Sequence, residues 1–226
     1  MTPPLLAQPQ HLDLQPSDGD VLAYPDWKTL LVLPWKRTVA WVACDTHINH
    51  KVSMQCPRTA LRLAIDRLAS THKLLFKTGV ELEFHLLTQG AHELADKLDT
   101  NSKPCYGVEP LMRQHKLIST TLEYMEELGW KPYQADHEDS NGQFEINWEY
   151  DDALVTADRC AFFKWMVREL AAKEGLVATF MPKPFMQLTG NSAHVHISLH
   201  SLDGANVFKV SCAAASVDIL DSRFSY

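Results

Sequence analysis

Apolar positions in the first part of the chain come in short runs. Val21-Leu22-Ala23-Tyr24, Leu30-Leu31-Val32-Leu33 and Val39-Ala40-Trp41-Val42-Ala43-Cys44 are punctuated by Pro25-Asp26 and Pro34. Runs this short, bounded by turn formers, predict about three strands. The pattern changes at Cys56-Pro57-Arg58. From Thr59 to Ser70, Leu61, Ile65 and Leu68 recur at helical spacing opposite Arg62, Asp66 and Arg67. That predicts an amphipathic helix with Pro57 near its start. A strand is predicted over 77–87, a polar loop over 89–102 and a helix over 111–129. Gly129 suits the position just past a helix C-terminus. In 153–175, Phe162, Trp165, Met166, Glu169 and Leu170 follow i, i+3, i+4 spacing, and Gly175 follows the last turn, which predicts a long helix. Short strands follow over 176–181 and 194–200, with Asp203-Gly204 as a turn. Strand, helix, hairpin, helix, strand, strand is the order of an α+β fold with antiparallel pairing.

The net charge of −7 argues against an electrostatic grip on nucleic acid or on an anionic membrane surface. Anionic substrates stay open, because bound metal ions reverse the local sign. The five cysteines are scattered and form no CxxC pair, which fits buried thiols in a reducing compartment. Residues 1–16 lack the basic-then-apolar order of a secretory signal. No apolar run approaches the roughly 20 residues of a membrane helix. A soluble, cytoplasmic protein is expected.

Three segments carry chemistry. Glu81 and Glu83 lie two apart on a predicted strand, so both carboxylates share a face. Water, a basic partner or a cation must offset their repulsion. In His137-Glu138-Asp139-Ser140-Asn141-Gly142-Gln143-Phe144-Glu145, Asn-Gly is a strong hairpin signal. A two-residue turn there pairs Ser140 with Gln143 and Asp139 with Phe144, and sets Glu138 opposite Glu145. Opposed like charges destabilise a strand pair, and a hard divalent cation resolves the conflict. Third, the polar turn Thr189-Gly190-Asn191-Ser192 leads into a strand with His194, His196 and Ser198 on one face. Val195, Ile197 and Leu199 lie on the other, as an expected core face.

Together these segments resemble the glutamine synthetase family. Glu81-Leu82-Glu83-Phe84 is similar to its ExEF strand, and His137-Glu138 through Gly142-Gln143-Phe144-Glu145 to its HE…GQxE segment. Thr179-Phe180-Met181-Pro182-Lys183-Pro184 matches its TFMPKP signature, and Gly190 to Ser198 its NG…HxHxS segment. The wording is nearer to the bacterial-type and amine-ligating members. The resemblance implies an irregular lead-in over 1–17 and the end of an N-terminal β-grasp-like domain over 18–55. Over 56–208 it implies part of a catalytic domain with a mixed, largely antiparallel curved sheet and flanking helices. A divergent tail over 209–226 completes the chain.

By the same resemblance, Glu83, Glu138 and Glu145 hold one Mg²⁺ or Mn²⁺ ion, and Glu81 with His194 holds a second beside the ATP phosphates. Gly190 contacts glutamate through its backbone, His196 is catalytic and lies by the glutamyl carboxylate, and Ser198 lies near ATP. The implied reaction joins ammonia or a small amine to glutamate through γ-glutamyl phosphate, in a homo-oligomer. Family members run on well past the HxHxS strand with a further glutamate and several arginines, whereas the resemblance here fades after Phe208. Thr189 stands where the family usually has Asn. Two expectations follow: a ligase that needs those further residues, or a catalytically inactive subunit that co-assembles with full-length ones.

Overall fold

The structure, a computed structural model, describes residues 20–209. The lead-in expected over 1–17, and all but Lys209 of the tail expected over 209–226, lie outside the described residues. The first part of the chain folds as five strands, β1 (Val21–Pro25), β2 (Leu31–Leu33), β3 (Lys36–Trp41), β4 (Cys44–Ile48) and β5 (Lys51–Val52). β1, β4 and β5 form one antiparallel sheet, and β2 and β3 a hairpin. The run expected as one strand over 39–44 is broken at Val42-Ala43, where the Ala43 carbonyl turns away to accept the Asp26 N–H.

The second part comprises α1 (Pro57–His72), β6 (Leu74–Thr88), α2 (Val108–Arg113), α3 (His115–Glu127), β7 (Pro132–His137) and β8 (Gln143–Trp148). β9 (Asp151–Asp152), α4 (Ala153–Lys173), β10 (Leu176–Thr179) and β11 (Ala193–Ser201) complete it. The helix expected over 111–129 is two helices that meet at Gln114, while Gly129 and Gly175 take the positive φ their places after helices require. The order is α+β, as expected, with every strand pairing among the described residues antiparallel.

β6 is the spine of the main sheet. At 15 residues it is long enough to take two partners on each edge. β8 and β9 pair along one edge, β10 and β11 along the other, and β7 lies outside β8. Alternation sends Leu82, Phe84 and Leu86 of β6, with Phe144, Ile146 and Trp148 of β8, into the core. There α4 lays down Phe162, Phe163, Met166, Val167 and Leu170. Leu33 of the first hairpin joins the same core. At the join between the two parts, Arg58 of α1 donates to Asp26, Asp45 and Asp158, each at 2.9 Å. The guanidinium of Arg58, then that of Arg62, holds the Asp26 carboxyl down at about 2.

One expectation fails on β11. Val195 and Ile197 are 54% and 56% exposed instead of forming a core face. Among the described residues, α1 and α4 pack on β6 and α4 on β10, with no comparable helix packing on β11. No helix among the described residues is long and apolar enough to cross a membrane.

Candidate active site

The face of the main sheet opposite α4 gathers the polar residues. Glu81, Glu83 and His85 of β6 alternate with its core residues, as do Gln143, Glu145 and Asn147 of β8. Register brings Glu83 directly beside Glu145, and Glu81 beside His194.

The hairpin differs from the expected one. Asn141-Gly142 do form a turn, closed by Gln143 N–H to Ser140 C=O. Pairing resumes two residues later than a two-residue loop allows, with Glu138 N–H bonded to Gln143 C=O and His137 opposite Phe144. Glu138 is therefore not opposite Glu145; Asp136 is. Side-chain acceptors explain the shift. Ser140 N–H is donated to Gln143 Oε1 at 3.0 Å, and Gly142 N–H to Asp99 Oδ2 at 2.6 Å. Asp99 also accepts from Asn141 Nδ2 at 3.0 Å and lies 2.7 Å from His137 Nε2, while His137 Nδ1 lies 2.9 Å from the Pro104 carbonyl oxygen. Both side chains of the Asp99–His137 pair are fully buried. Asp99→Asn turns one acceptor oxygen of this cluster into a donor, and is expected to lower stability by about 2 kcal/mol, the scale of hydrogen bonds to a charged group. Urea denaturation checks this; a midpoint equal to that of the wild type would contradict the clamp.

A shift of two residues keeps every side chain on its face, so the acidic cluster survives it. Ligand oxygens of Asp136, Glu138 and Glu145 lie within 4.8 Å of one another. Burial, then the charges of Glu138, Glu81 and Glu83, lifts the Glu145 carboxyl to about 7, against a hydrogen bond from Asn147 Nδ2. Burial and the Glu83 charge also raise Glu138. Glu83 lies beside this trio with its oxygens already engaged by Ser192 and Gln143. Glu81 is nearer to His196, at 2.9 Å, than to His194, at 3.8 Å, and both imidazoles are largely exposed. Ser198 lies further along the same face of β11. There a cleft of about 430 Å³ opens between Gly79, Glu81, Tyr133, Tyr150, His196 and Ser198.

These donors suit a hard divalent cation, being carboxylates with imidazole at the margin. The side-chain oxygen of Asn147, buried beside Glu145, has no hydrogen-bond partner. Such an orphan acceptor agrees with a site made to face positive charge.

Gly190 sits in the segment that crosses in front of Glu83. A Cβ there would lie 2.3 Å from the Pro182 carbonyl oxygen, so only glycine fits. Its own carbonyl accepts from Gln143 Nε2 at 2.9 Å.

Sequence reasoning missed Asp136, Gln143, Asn191, His85 and Asp99. Asp136 was within reach of the alternation rule, two residues before Glu138. Asp99 was hidden in a stretch read as polar loop. His85 bridges Asn191 Oδ1 at 2.8 Å and Ser140 Oγ at 3.0 Å, and burial pushes its imidazole down.

A family model described as the glutamine synthetase catalytic domain matches residues 54–218. The chain is 51% identical over 193 residues to a glutamine synthetase of Rhizobium leguminosarum bv. phaseoli, covering 85% of this chain and 44% of that protein. To a glutamate–methylamine ligase of Methyloversatilis universalis it is 40% identical over 184 residues, covering 80% and 41%. Solved structures of GmaS without ligand and of a GmaS/ADP complex each superpose with a TM-score of 0.86 at 49% identity. They cover 88% of this chain and 47% and 46% of theirs. The chain thus spans less than half the length of these relatives.

Proposed function

Because this chain belongs to the glutamine synthetase family through its catalytic domain, we propose that it carries the carboxylate-rich part of a glutamate–amine ligase site. In the first step a γ-carboxylate oxygen of glutamate attacks the γ-phosphorus of ATP and ADP leaves. In the second, the nitrogen of ammonia or a small amine attacks the γ-carbonyl, phosphate leaves, and the nitrogen gives up a proton.

The supporting observation is the convergence of Glu81, Glu83, Asp136, Glu138, Glu145 and the two histidines on one sheet face, with Glu145 lifted to about 7 by burial and like charge. Glu83, Glu138 and Glu145, with Asp136 beside them, would hold one Mg²⁺ or Mn²⁺ ion; Glu81 and His194 would hold a second. Such ions supply neutralisation of the phosphate charge, the main electrostatic need of phosphoryl transfer. Glu81 orients His196 toward the cleft, where Ser198, Tyr133 and Tyr150 suit the nucleotide. Gly190 lets the backbone approach the amino-acid substrate closely. Assembly as a homo-oligomer, and a cytoplasmic setting, belong to the same proposal.

Calorimetry of the chain with Mn²⁺, followed by ADP in its presence, tests the reading. Saturable Mn²⁺ binding, and ADP binding that depends on it, are expected. A chain that binds neither would refute it. Mn²⁺ binding without nucleotide binding would favour an inactive co-assembling subunit.

A further inference from the structure

Gln143 is completely buried and meets partners at both ends of its amide. Its Nε2 lies 2.7 Å from Glu83 Oε2, 2.9 Å from Gly190 C=O and 3.1 Å from Asn191 Oδ1, while its Oε1 accepts Ser140 N–H at 3.0 Å. We propose that Gln143 is a positioning residue: it presents Glu83 to the divalent ion in one orientation and couples that ion to the segment carrying Gly190. The proposal rests on the ligase reading above.

The count of hydrogens and lone pairs carries it. An ionised carboxylate offers about four acceptor positions. At Glu83, Ser192 Oγ takes one on Oε1, and Ser192 N–H at 3.0 Å and Gln143 Nε2 take two on Oε2. The remaining position is on Oε1, which leaves a single direction for a cation. The Gln143 amide cannot turn over, since Ser140 N–H fixes its oxygen.

The amino group has two hydrogens and faces three acceptors: Glu83, Gly190 and Asn191. A cation that draws electron density from Glu83 weakens it as an acceptor, and the hydrogens shift toward Gly190 and Asn191. Asn191 is itself fixed, accepting from His85 Nδ1 and donating to the carbonyls of Thr179 and Met181. Ion occupancy therefore tightens residues 182–192 around the place where the amino-acid substrate docks. Partners in this outer position orient ligands and tune metal affinity.

The experiment compares the wild-type chain with Gln143→Met, which keeps the length and apolar contacts and removes the amide. Mn²⁺ affinity by calorimetry is expected to fall by about 10–100-fold, the usual effect of losing such a partner. Hydrogen exchange in 182–192 is expected to slow on adding Mn²⁺ to the wild type and to be unresponsive in Gln143→Met. Packing alone would not make exchange depend on the ion. Unchanged affinity in a folded Gln143→Met protein overturns the proposal. So does Mn²⁺ binding to the wild type without slower exchange in 182–192, a result that needs no variant. A wild-type chain that binds no Mn²⁺ refutes the ligase reading itself, and this inference with it.

Discussion

Glu145→Gln is expected to weaken Mn²⁺ binding at least about 100-fold, beyond the effect of an outer partner, and at the same time to raise the melting temperature of the ion-free chain. Most buried substitutions destabilise; this one removes a charge held among like charges and keeps the acceptor that Asn147 Nδ2 needs. The sign follows from the raised pKa. Glu145 stands at about 7 in the folded chain against an ordinary 4.5. Between those values the folded form binds more protons than the unfolded one, so stability falls as pH rises through that window. The stabilisation by Gln should therefore be small near about pH 5 and largest near about pH 8. Thermal unfolding in a chelator across this range, with calorimetric Mn²⁺ titration, gives both readouts. A Gln variant less stable than the wild type at the alkaline end would contradict the crowding of carboxylates.

Phe163→Ala carries the largest expected loss of stability. The ring is fully buried and lies 6.3 Å from Phe84, 5.1 Å from Trp148 and 6.1 Å from Phe180, centroid to centroid. These partners come from β6, β8 and the residue after β10, so one side chain on α4 anchors three adjoining parts of the sheet. Removing a buried phenylalanine typically costs about 3–5 kcal/mol, against a total of about 5–15 kcal/mol for a domain. Guanidinium denaturation should place the midpoint far below that of the wild type. A loss under about 1 kcal/mol would mean that the neighbouring aromatics refill the space.

Helices and most strands were legible because their signals are local. Pro57 at the start of α1, Gly175 after α4, and the alternation of β6 each act within a few residues. The face shared by Glu81, Glu83 and Glu145 was legible for the same reason. The hairpin register was not, because it is decided by Asp99, some forty residues upstream in the chain, and by side-chain acceptors that pull two N–H groups out of the ladder. The expected core face of β11 failed on tertiary grounds: alternation gives two faces but does not say whether a helix covers either. Gln143 and Asn191 escaped notice because hydrogen-bonded amides have no periodic signature; their meaning comes only from what they touch.

The Asp99 clamp has a consequence for ion choice. It grips the hairpin from the far side through main-chain and buried contacts that do not involve the acidic oxygens. The spacing of Asp136, Glu138 and Glu145 is thereby set before any cation arrives. A poorly sized ion could be accommodated only by bending a packed sheet, a costlier adjustment than moving a loop. On the proposed metal reading, discrimination by ionic radius would be a property of the whole hairpin, anchored at a residue outside the acidic trio.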